Sequence, residues 1–372
     1  MNKLTTLILL TLGLFHNAQS QDFEQLYRLG LNQLYPNVDY KEIRKHYDKV
    51  IGISSFYLET DDNPAEYHSI IVNYESAIES FSKAIAIKPD YALAYNYRGE
   101  AKEKTKDFEG ALEDYSQAIE LSMDAGFYFN RGFLETKIGD IKQAINDFAQ
   151  AVKIDSNFSM AYNNIGFIRT QLGEYKLALQ DLNRAILISP ELATAYNNRG
   201  GVKDKLGDYK AAIEDFEKAI AGKIAFAEAY YNRGITYYNM GEYKEAIRDY
   251  SAAIDFKSNF TQAYYNRGLA KDELGDKPGA LNDYMKASQL NPKHYKSLYN
   301  SGLIKNETGD SKSAIEYFTK AIAIKADYAE AYVGRGNVKL KAGDAKGACL
   351  DFIKAGDLGI VKAYDLSKEL CK

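Results

Sequence analysis

The feature that most constrains this chain is a period of 34 residues, which is marked by glycine. Eight glycines recur at intervals of 33 or 34 residues, at Gly99, Gly132, Gly166, Gly200, Gly234, Gly268, Gly302 and Gly336. Such self-similarity is typical of a stack of identical supersecondary units, each of which buries its apolar face only against its neighbours. A stacked array also offers an extended surface, so the period bears on binding as well as on folding.

Aligned on this period, the chain forms eight rows, here called repeats 1 to 8. Residues are numbered within each row from its first residue, and this number is called the position. The rows begin at Ala92, Ala125, Ser159, Ala193, Ala227, Thr261, Tyr295 and Ala329. In a typical row, Gly207 and Asp208 separate two halves whose apolar residues are spaced by three and four. The pattern predicts a helix, a tight turn and a second helix in every row.

The residues that recur at fixed positions resemble the tetratricopeptide repeat. Position 4 is tyrosine in seven rows, position 8 is always glycine, and positions 20 and 27 are always alanine. The resemblance implies an all-α fold, an α-solenoid in which helix-turn-helix repeats form a right-handed superhelix. The sequence departs from the family at position 7, where arginine replaces leucine in six rows.

Four segments are expected along the chain. Residues 1–20 read as a signal peptide, 21–91 as a degenerate helical cap with partial repeats, 92–360 as eight repeats and 361–372 as a capping helix. Terminal units of solenoids are often atypical, which favours the cap. A separate small helical domain over 21–91 is the alternative.

The first twenty residues have the layout of a secretory signal. Lys3 precedes an apolar run from Leu4 to Phe15, and the small residues Ala18 and Ser20 precede the expected cleavage before Gln21. The alternative is an uncleaved anchor, although the run is short for a bilayer. The sequence therefore predicts an exported, periplasmic or secreted protein that does not insert into a membrane after cleavage.

Composition and motifs argue against several functional classes. The net charge is −4, which gives no basic field to attract nucleic acid. Four histidines and two cysteines are too few and too scattered for a zinc site, and no cofactor is implied. Because no phosphate-binding loop or nucleophile motif is present, the chain does not look like an enzyme.

The best functional signal is an asparagine at position 6 of six consecutive repeats, called here the asparagine ladder: Asn130, Asn164, Asn198, Asn232, Asn266 and Asn300. Shared ancestry of the repeats is the simpler explanation, yet neighbouring positions 5 and 9 have diverged. In the superhelices of the O-GlcNAc transferases, a similar ladder lines the concave face and holds an extended peptide. This resemblance implies a peptide-binding groove that also includes Phe133, Phe167, Tyr231, Tyr265 and Tyr299.

The function predicted from the sequence is a non-enzymatic scaffold whose partner is another protein or a peptide. The expected ligand is an extended or unstructured segment held in the concave groove. The alternative is a permanent structural subunit of an envelope or secretion assembly, which uses its convex or end faces.

Two structural contacts are also predicted. An arginine at position 7 and an aspartate at position 23 occur together in six repeats, and a desolvated guanidinium needs such a partner. The expected ion pairs are Arg98–Asp114, Arg131–Asp147, Arg199–Asp215, Arg233–Asp249, Arg267–Asp283 and Arg335–Asp351. Export would place Cys349 and Cys371 in an oxidising compartment, where a disulfide or two separate buried thiols are the alternatives.

Overall fold

The computed structural model describes residues 25–31, 33, 73–223 and 226–371, and all regular secondary structure in these ranges is helical. Residues 25–31 form a first helical segment. The later helices are α1 (Tyr74–Ile87), α2 (Ala92–Lys104), α3 (Phe108–Leu121), α4 (Ala125–Ile138), α5 (Ile141–Ile154), α6 (Ser159–Gln171), α7 (Tyr175–Ile188), α8 (Ala193–Lys205), α9 (Tyr209–Gly222), α10 (Ala227–Asn239), α11 (Tyr243–Phe256), α12 (Thr261–Glu273), α13 (Lys277–Leu290), α14 (Tyr295–Glu307), α15 (Ser311–Ile324), α16 (Ala329–Lys341), α17 (Ala345–Asp357) and α18 (Val361–Leu370). The predicted signal peptide lies outside the described residues.

The chain divides into two compact units, Met1–Val202 and Lys203–Lys372. Each is a stack of helix-turn-helix repeats, as the all-α solenoid prediction requires. The division falls within α8, the first helix of repeat 4. Repeats 1 to 3 therefore belong to the first unit and repeats 5 to 8 to the second.

The turn inside seven of the eight repeats has a glycine at position 15, and repeat 1 has Lys106 there with a φ of 66°. In repeat 6, Gly275 has a φ of 81°, a left-handed conformation that glycine adopts without a steric penalty. The next residue, Asp276, caps α13 because its carboxylate accepts a hydrogen bond from the backbone N–H of Gly279 at 2.9 Å. These two residues end one helix and begin the next.

Small residues let the two helices of a repeat approach closely. A Cβ placed on Gly268 would lie 2.7 Å from the Tyr284 ring, so position 8 admits only glycine while position 24 is this large. Ala280 and Ala287, at positions 20 and 27, are fully buried on the other side of the contact. The recurring small residues thus fix the helix spacing, and the aromatic ring fills the remaining volume.

Three aromatic positions pack together in repeats 2, 5, 6 and 7. In repeat 6, the Tyr265 ring lies 5.7 Å from Tyr284 of the second helix and 4.9 Å from His294, the last residue of the repeat. In repeat 2 the corresponding distances from Phe129 are 5.5 Å to Phe148 and 4.9 Å to Phe158. Positions 5, 24 and 34 therefore form a ring cluster in both units.

The same cluster shows that residues 25–31 and α1 are the two halves of one further repeat. The Tyr27 ring lies 6.0 Å from Phe81 and 5.1 Å from Tyr91, and a Cβ on Gly30 would be 2.8 Å from the Phe81 ring. The segment 25–31 therefore takes the place of the first helix, although residues 34–72 separate it from α1 in sequence. The stretch around Pro64, which matches no first helix, lies outside the described residues.

The other end of the second unit is covered by α18. Its Ala363 packs against Phe352 and Ala355 of α17. A disulfide joins Cys349 of α17 to Cys371, with their Cα atoms 5.7 Å apart. Of the two states left open by the sequence, the structure has the bridged one.

Candidate protein-binding surface

Buried ion pairs fix the first helix of a repeat against the second. In five repeats, Nε and Nη2 of the position-7 arginine donate to the two oxygens of the position-23 aspartate at 2.6–2.9 Å. These pairs are Arg98–Asp114, Arg131–Asp147, Arg233–Asp249, Arg267–Asp283 and Arg335–Asp351. The two parallel hydrogen bonds hold the guanidinium in one plane, which orients the helix that carries the candidate binding residues.

The sixth expected pair, Arg199–Asp215, involves residues of different units, and repeat 3 has another arrangement. Arg199 belongs to the first unit and Asp215 to the second, where Asp215 binds Lys203 Nζ at 2.7 Å. In repeat 3, which has Ile165 at position 7, Asp181 instead pairs with Arg169 at position 11. A cation at position 11 can therefore replace the one at position 7.

The asparagine ladder is bonded to the preceding repeat. Nδ2 of the position-6 asparagine donates to the side-chain oxygen at position 5 of the first helix before it. The bonds are Asn130 to Asn96 at 3.0 Å, Asn198 to Asn163 at 2.9 Å, Asn266 to Tyr231 at 3.0 Å and Asn300 to Tyr265 at 3.5 Å. Each of these four asparagines thus joins the first helices of two successive repeats.

Asn164 shows why this bond needs a polar residue at position 5. The preceding repeat has Phe129 there, which offers no acceptor, and Asn164 Oδ1 instead accepts from Asn163 Nδ2 at 3.4 Å. Asn232 is half-buried, and the position-5 residue before it, Asn197, belongs to the other unit.

For Asn130 the prediction of an open groove position is wrong. Its side chain is buried between α2 and α4, with 6% of the residue exposed, because its amide is bonded to the fully buried Asn96. The other five asparagines are half-buried and keep part of their surface in contact with solvent. The inter-repeat bond that orients these amides could not be read from one repeat alone.

The aromatic residues predicted for the groove differ in exposure. Phe167 is 42% exposed, whereas Phe133 is half-buried against the core of repeat 2. Tyr231, Tyr265 and Tyr299 are half-buried members of the ring clusters, and burial raises the pKa of all three. Their hydroxyls therefore stay protonated at neutral pH, and those of Tyr231 and Tyr265 accept the asparagine bonds.

Two further features of the described residues concern metal binding and membrane-spanning helices. No three side chains of His, Cys, Asp or Glu lie close enough together to hold a metal ion within the described ranges 25–31, 33, 73–223 and 226–371. Among the helices in those ranges, none combines the length and the apolar composition needed to span a bilayer.

The fold and this repeat chemistry agree with comparison to known families. Models of the tetratricopeptide repeat match residues 73–106, 125–158, 157–225, 227–260, 261–294 and 295–328. The chain belongs to the tetratricopeptide repeat family. The repeats make it a scaffold for protein–protein interaction, which is the general and non-catalytic role of this fold.

Several solved structures are similar to this chain, one of them with a TM-score above 0.5. That of pilF from Pseudomonas aeruginosa is 20% identical over 57% of this chain and 97% of its own, with a TM-score of 0.51. A tetratricopeptide repeat protein from Parabacteroides merdae is 20% identical over 66% of this chain and 96% of its own, at a TM-score of 0.47. YrrB, described as a TPR protein with an unusual peptide-binding site, is 25% identical over 50% of this chain and 95% of its own, at 0.42. No curated protein matches the chain significantly.

Proposed function

We propose that each unit binds an extended or unstructured segment of another protein along the faces of its first helices. The observation that carries the proposal is the pairing of positions 6 and 9. Asn164 and Phe167 are three residues apart on α6, so they share one face of the helix, and Phe167 exposes 42% of its surface there. An amide beside an exposed ring suits a ligand that presents a backbone and apolar side chains.

The bonds to the preceding repeat prepare the amides for this role. Because Asn198 in the first unit and Asn266 in the second are each held at one N–H, little side-chain entropy is lost when a ligand binds the rest of the amide. A side-chain amide pairs with a peptide group as both donor and acceptor. One amide per repeat can hydrogen-bond to the backbone of an extended ligand at regular intervals, and such contacts do not require a particular ligand sequence.

The charges near these faces largely neutralise one another. Lys137 Nζ lies 3.4 Å from Glu103, and Lys277 Nζ lies 2.7 Å from both Asp272 and Glu307. A site for a terminal carboxylate would instead need cations left available for the ligand. The proposed ligand is therefore recognised through its backbone and apolar side chains.

Export and removal of residues 1–20 remain part of the proposal. The disulfide between Cys349 and Cys371 supports it, since such bridges persist in periplasmic and extracellular compartments and are rare in the cytosol. A native N-terminus at Gln21 is the expected result of sequencing the mature protein. An intact Met1 on protein from the cytosolic fraction would contradict export.

The groove proposal is tested with a peptide selected from a displayed random library on the purified chain. Replacing Asn266 and Asn300 of the second unit together with alanine is expected to weaken the binding of this peptide by roughly five- to a hundredfold, at about 0.5–1.5 kcal/mol per lost bond. Fluorescence anisotropy gives the Kd, and circular dichroism checks the helix content.

The matched control separates binding from inter-repeat packing. Tyr231→Phe with Tyr265→Phe removes the acceptors for Asn266 and Asn300 but keeps both amides. If this double variant weakens peptide binding as much as the asparagine variant does, the amides act only by linking neighbouring repeats and do not contact the peptide. Unchanged affinity in the asparagine variant would also reject the proposed site.

The second candidate is the structural subunit, and exposed apolar residues at position 14 favour it. Ile138 and Leu172 in the first unit are 44% and 53% exposed, and Leu206 and Leu274 in the second are 54% and 45% exposed. They lie at the turns, away from positions 6 and 9. Replacing them with serine would disrupt an assembly held by this edge while leaving peptide affinity unchanged.

A further inference from the structure

In repeat 2, an acid takes the place of the lysine that four other repeats have near the position-23 aspartate. Four repeats have a lysine at position 11 whose ammonium binds the position-23 aspartate at 2.7–2.9 Å: Lys102–Asp114, Lys203–Asp215, Lys271–Asp283 and Lys339–Asp351. In repeat 2 this position is Glu135. An acid therefore stands where these four repeats have a cation.

The resulting cluster has two carboxyl groups and one guanidinium. Asp147 is fully buried, and both its oxygens accept from Arg131, at 2.6 and 2.9 Å. Glu135 is 7% exposed, its Oε1 is 3.9 Å from Arg131 Nε, and its Oε2 is buried without a hydrogen-bond partner. With both carboxyls ionised, the cluster would carry an unbalanced negative charge out of water, which is strongly unfavourable.

We propose that Glu135 holds a proton in the folded chain, and that the helix pair α4–α5 loosens when this proton is lost to bulk water near neutral pH. The proton removes the negative charge that Glu135 would otherwise add to the cluster, so that Arg131 has to balance Asp147 alone. It also gives the buried carboxyl of Glu135 a hydrogen-bond donor. The first unit thereby gains a pH-sensitive repeat, independently of any bound peptide.

The electrostatic surroundings agree with this assignment. Burial and the neighbouring Asp147 raise the pKa of Glu135 to about 7, Asp140 adds to the rise, and Arg131 opposes it. Charged groups on the packed helices have other partners: Glu103 of α2 binds Lys137 of α4, and Arg169 of α6 binds Asp181. On α3, Ser116 accepts from Arg131 Nη1 and carries no charge.

The direction of the pH effect follows from the raised pKa. A carboxyl with a higher pKa in the folded state binds its proton more tightly there than in the unfolded state. The stabilisation is fully present below the ordinary glutamate pKa of 4.5 and is lost as the pH rises through about 7. Linkage gives a roughly tenfold increase in local opening between about pH 6 and pH 8.

Native-state hydrogen exchange on the full chain, referenced to the unfolded rates at each pH, tests the proposal. The protection of α4 and α5 is expected to fall about tenfold from pH 6 to pH 8, while that of α12 and α13, with Lys271 at position 11, changes little. Glu135→Gln should abolish the fall, because glutamine cannot ionise. Lys271→Glu should create the same fall in repeat 6.

Three outcomes would overturn the proposal. One is an equal pH response of α4–α5 in the parent chain and in Glu135→Gln. Another is an NMR titration in which the side-chain carboxyl carbon of Glu135 shows the ordinary glutamate pKa of 4.5. This measurement uses the parent chain and does not depend on the folding of a variant. The third is restored protection at pH 8 on addition of sodium or calcium chloride, which would assign the place to a metal cation instead.

Discussion

Repeats 2 and 6 share one backbone plan but differ in how they treat buried charge. Both have the left-handed glycine, the capping aspartate, the close glycine contact and the bidentate arginine–aspartate pair. In repeat 6, Asp283 binds both Arg267 and Lys271, whereas in repeat 2 Arg131 binds Asp147 and lies 3.9 Å from Glu135. The comparison teaches that steric complementarity sets this fold, because the helix pair forms with opposite charges at one buried position.

The largest difference is expected when the position-7 arginine is removed. Arg131→Leu strands two carboxyl groups and should lower the free energy of local unfolding by about 3–5 kcal/mol at pH 7. Arg267→Leu should cost about half as much, because Lys271 still binds Asp283 at 2.8 Å. Hydrogen exchange of α4–α5 and α12–α13 measures both, and equal losses would show that position 11 contributes nothing.

Replacing the glutamate at position 11 of repeat 2 with lysine should remove the difference in buried charge between repeats 2 and 6. Glu135→Lys introduces the ammonium that repeat 6 has, and a hydrogen bond to a charged partner is expected to stabilise α4–α5 by about 1.5–3 kcal/mol at pH 8. Below pH 6 the gain should shrink, because the parent cluster is then protonated. Thermal midpoints of the two proteins at both pH values check this, and a pH-independent gain would contradict it.

The smallest difference is expected at position 6. Asn130→Ala leaves Asn96 fully buried without its remaining partner and should cost about 1–3 kcal/mol. Asn266→Ala should cost about 0.5–1.5 kcal/mol, since water can reach the half-buried Tyr231 hydroxyl. The exchange rates of α2 and α10 report the two changes, and a larger effect at Asn266 would reverse the ranking.

The sequence predicted what depends on the period. Glycine, alanine and aromatic residues at fixed positions specify how two helices approach, and this packing recurs from Gly99 to Gly336. The spacing of 16 residues between Arg267 and Asp283 also places both side chains at one helix contact. These features are local to a repeat, so a single row contains the information.

Features that depend on two rows or on long separation were missed. The side chain that accepts the hydrogen bond of a position-6 amide lies in the preceding repeat. This acceptor differs along the chain, for example Asn96 for Asn130 and Tyr231 for Asn266. Glu135 stands out only against the lysines at position 11 of the other rows. Gly30 and Phe81 form the close contact of a further repeat, but the intervening residues 34–72 concealed this pairing in the sequence.

The disulfide gives the second unit a direction of unravelling. An array held by nearest-neighbour contacts loses helices from its ends, where each helix has one neighbour instead of two. The link from Cys349 to Cys371 keeps α18 tethered to α17, so a terminal helix that detaches stays close and rebinds. The disulfide thus favours rebinding of α18 to α17, and its reduction removes this tether.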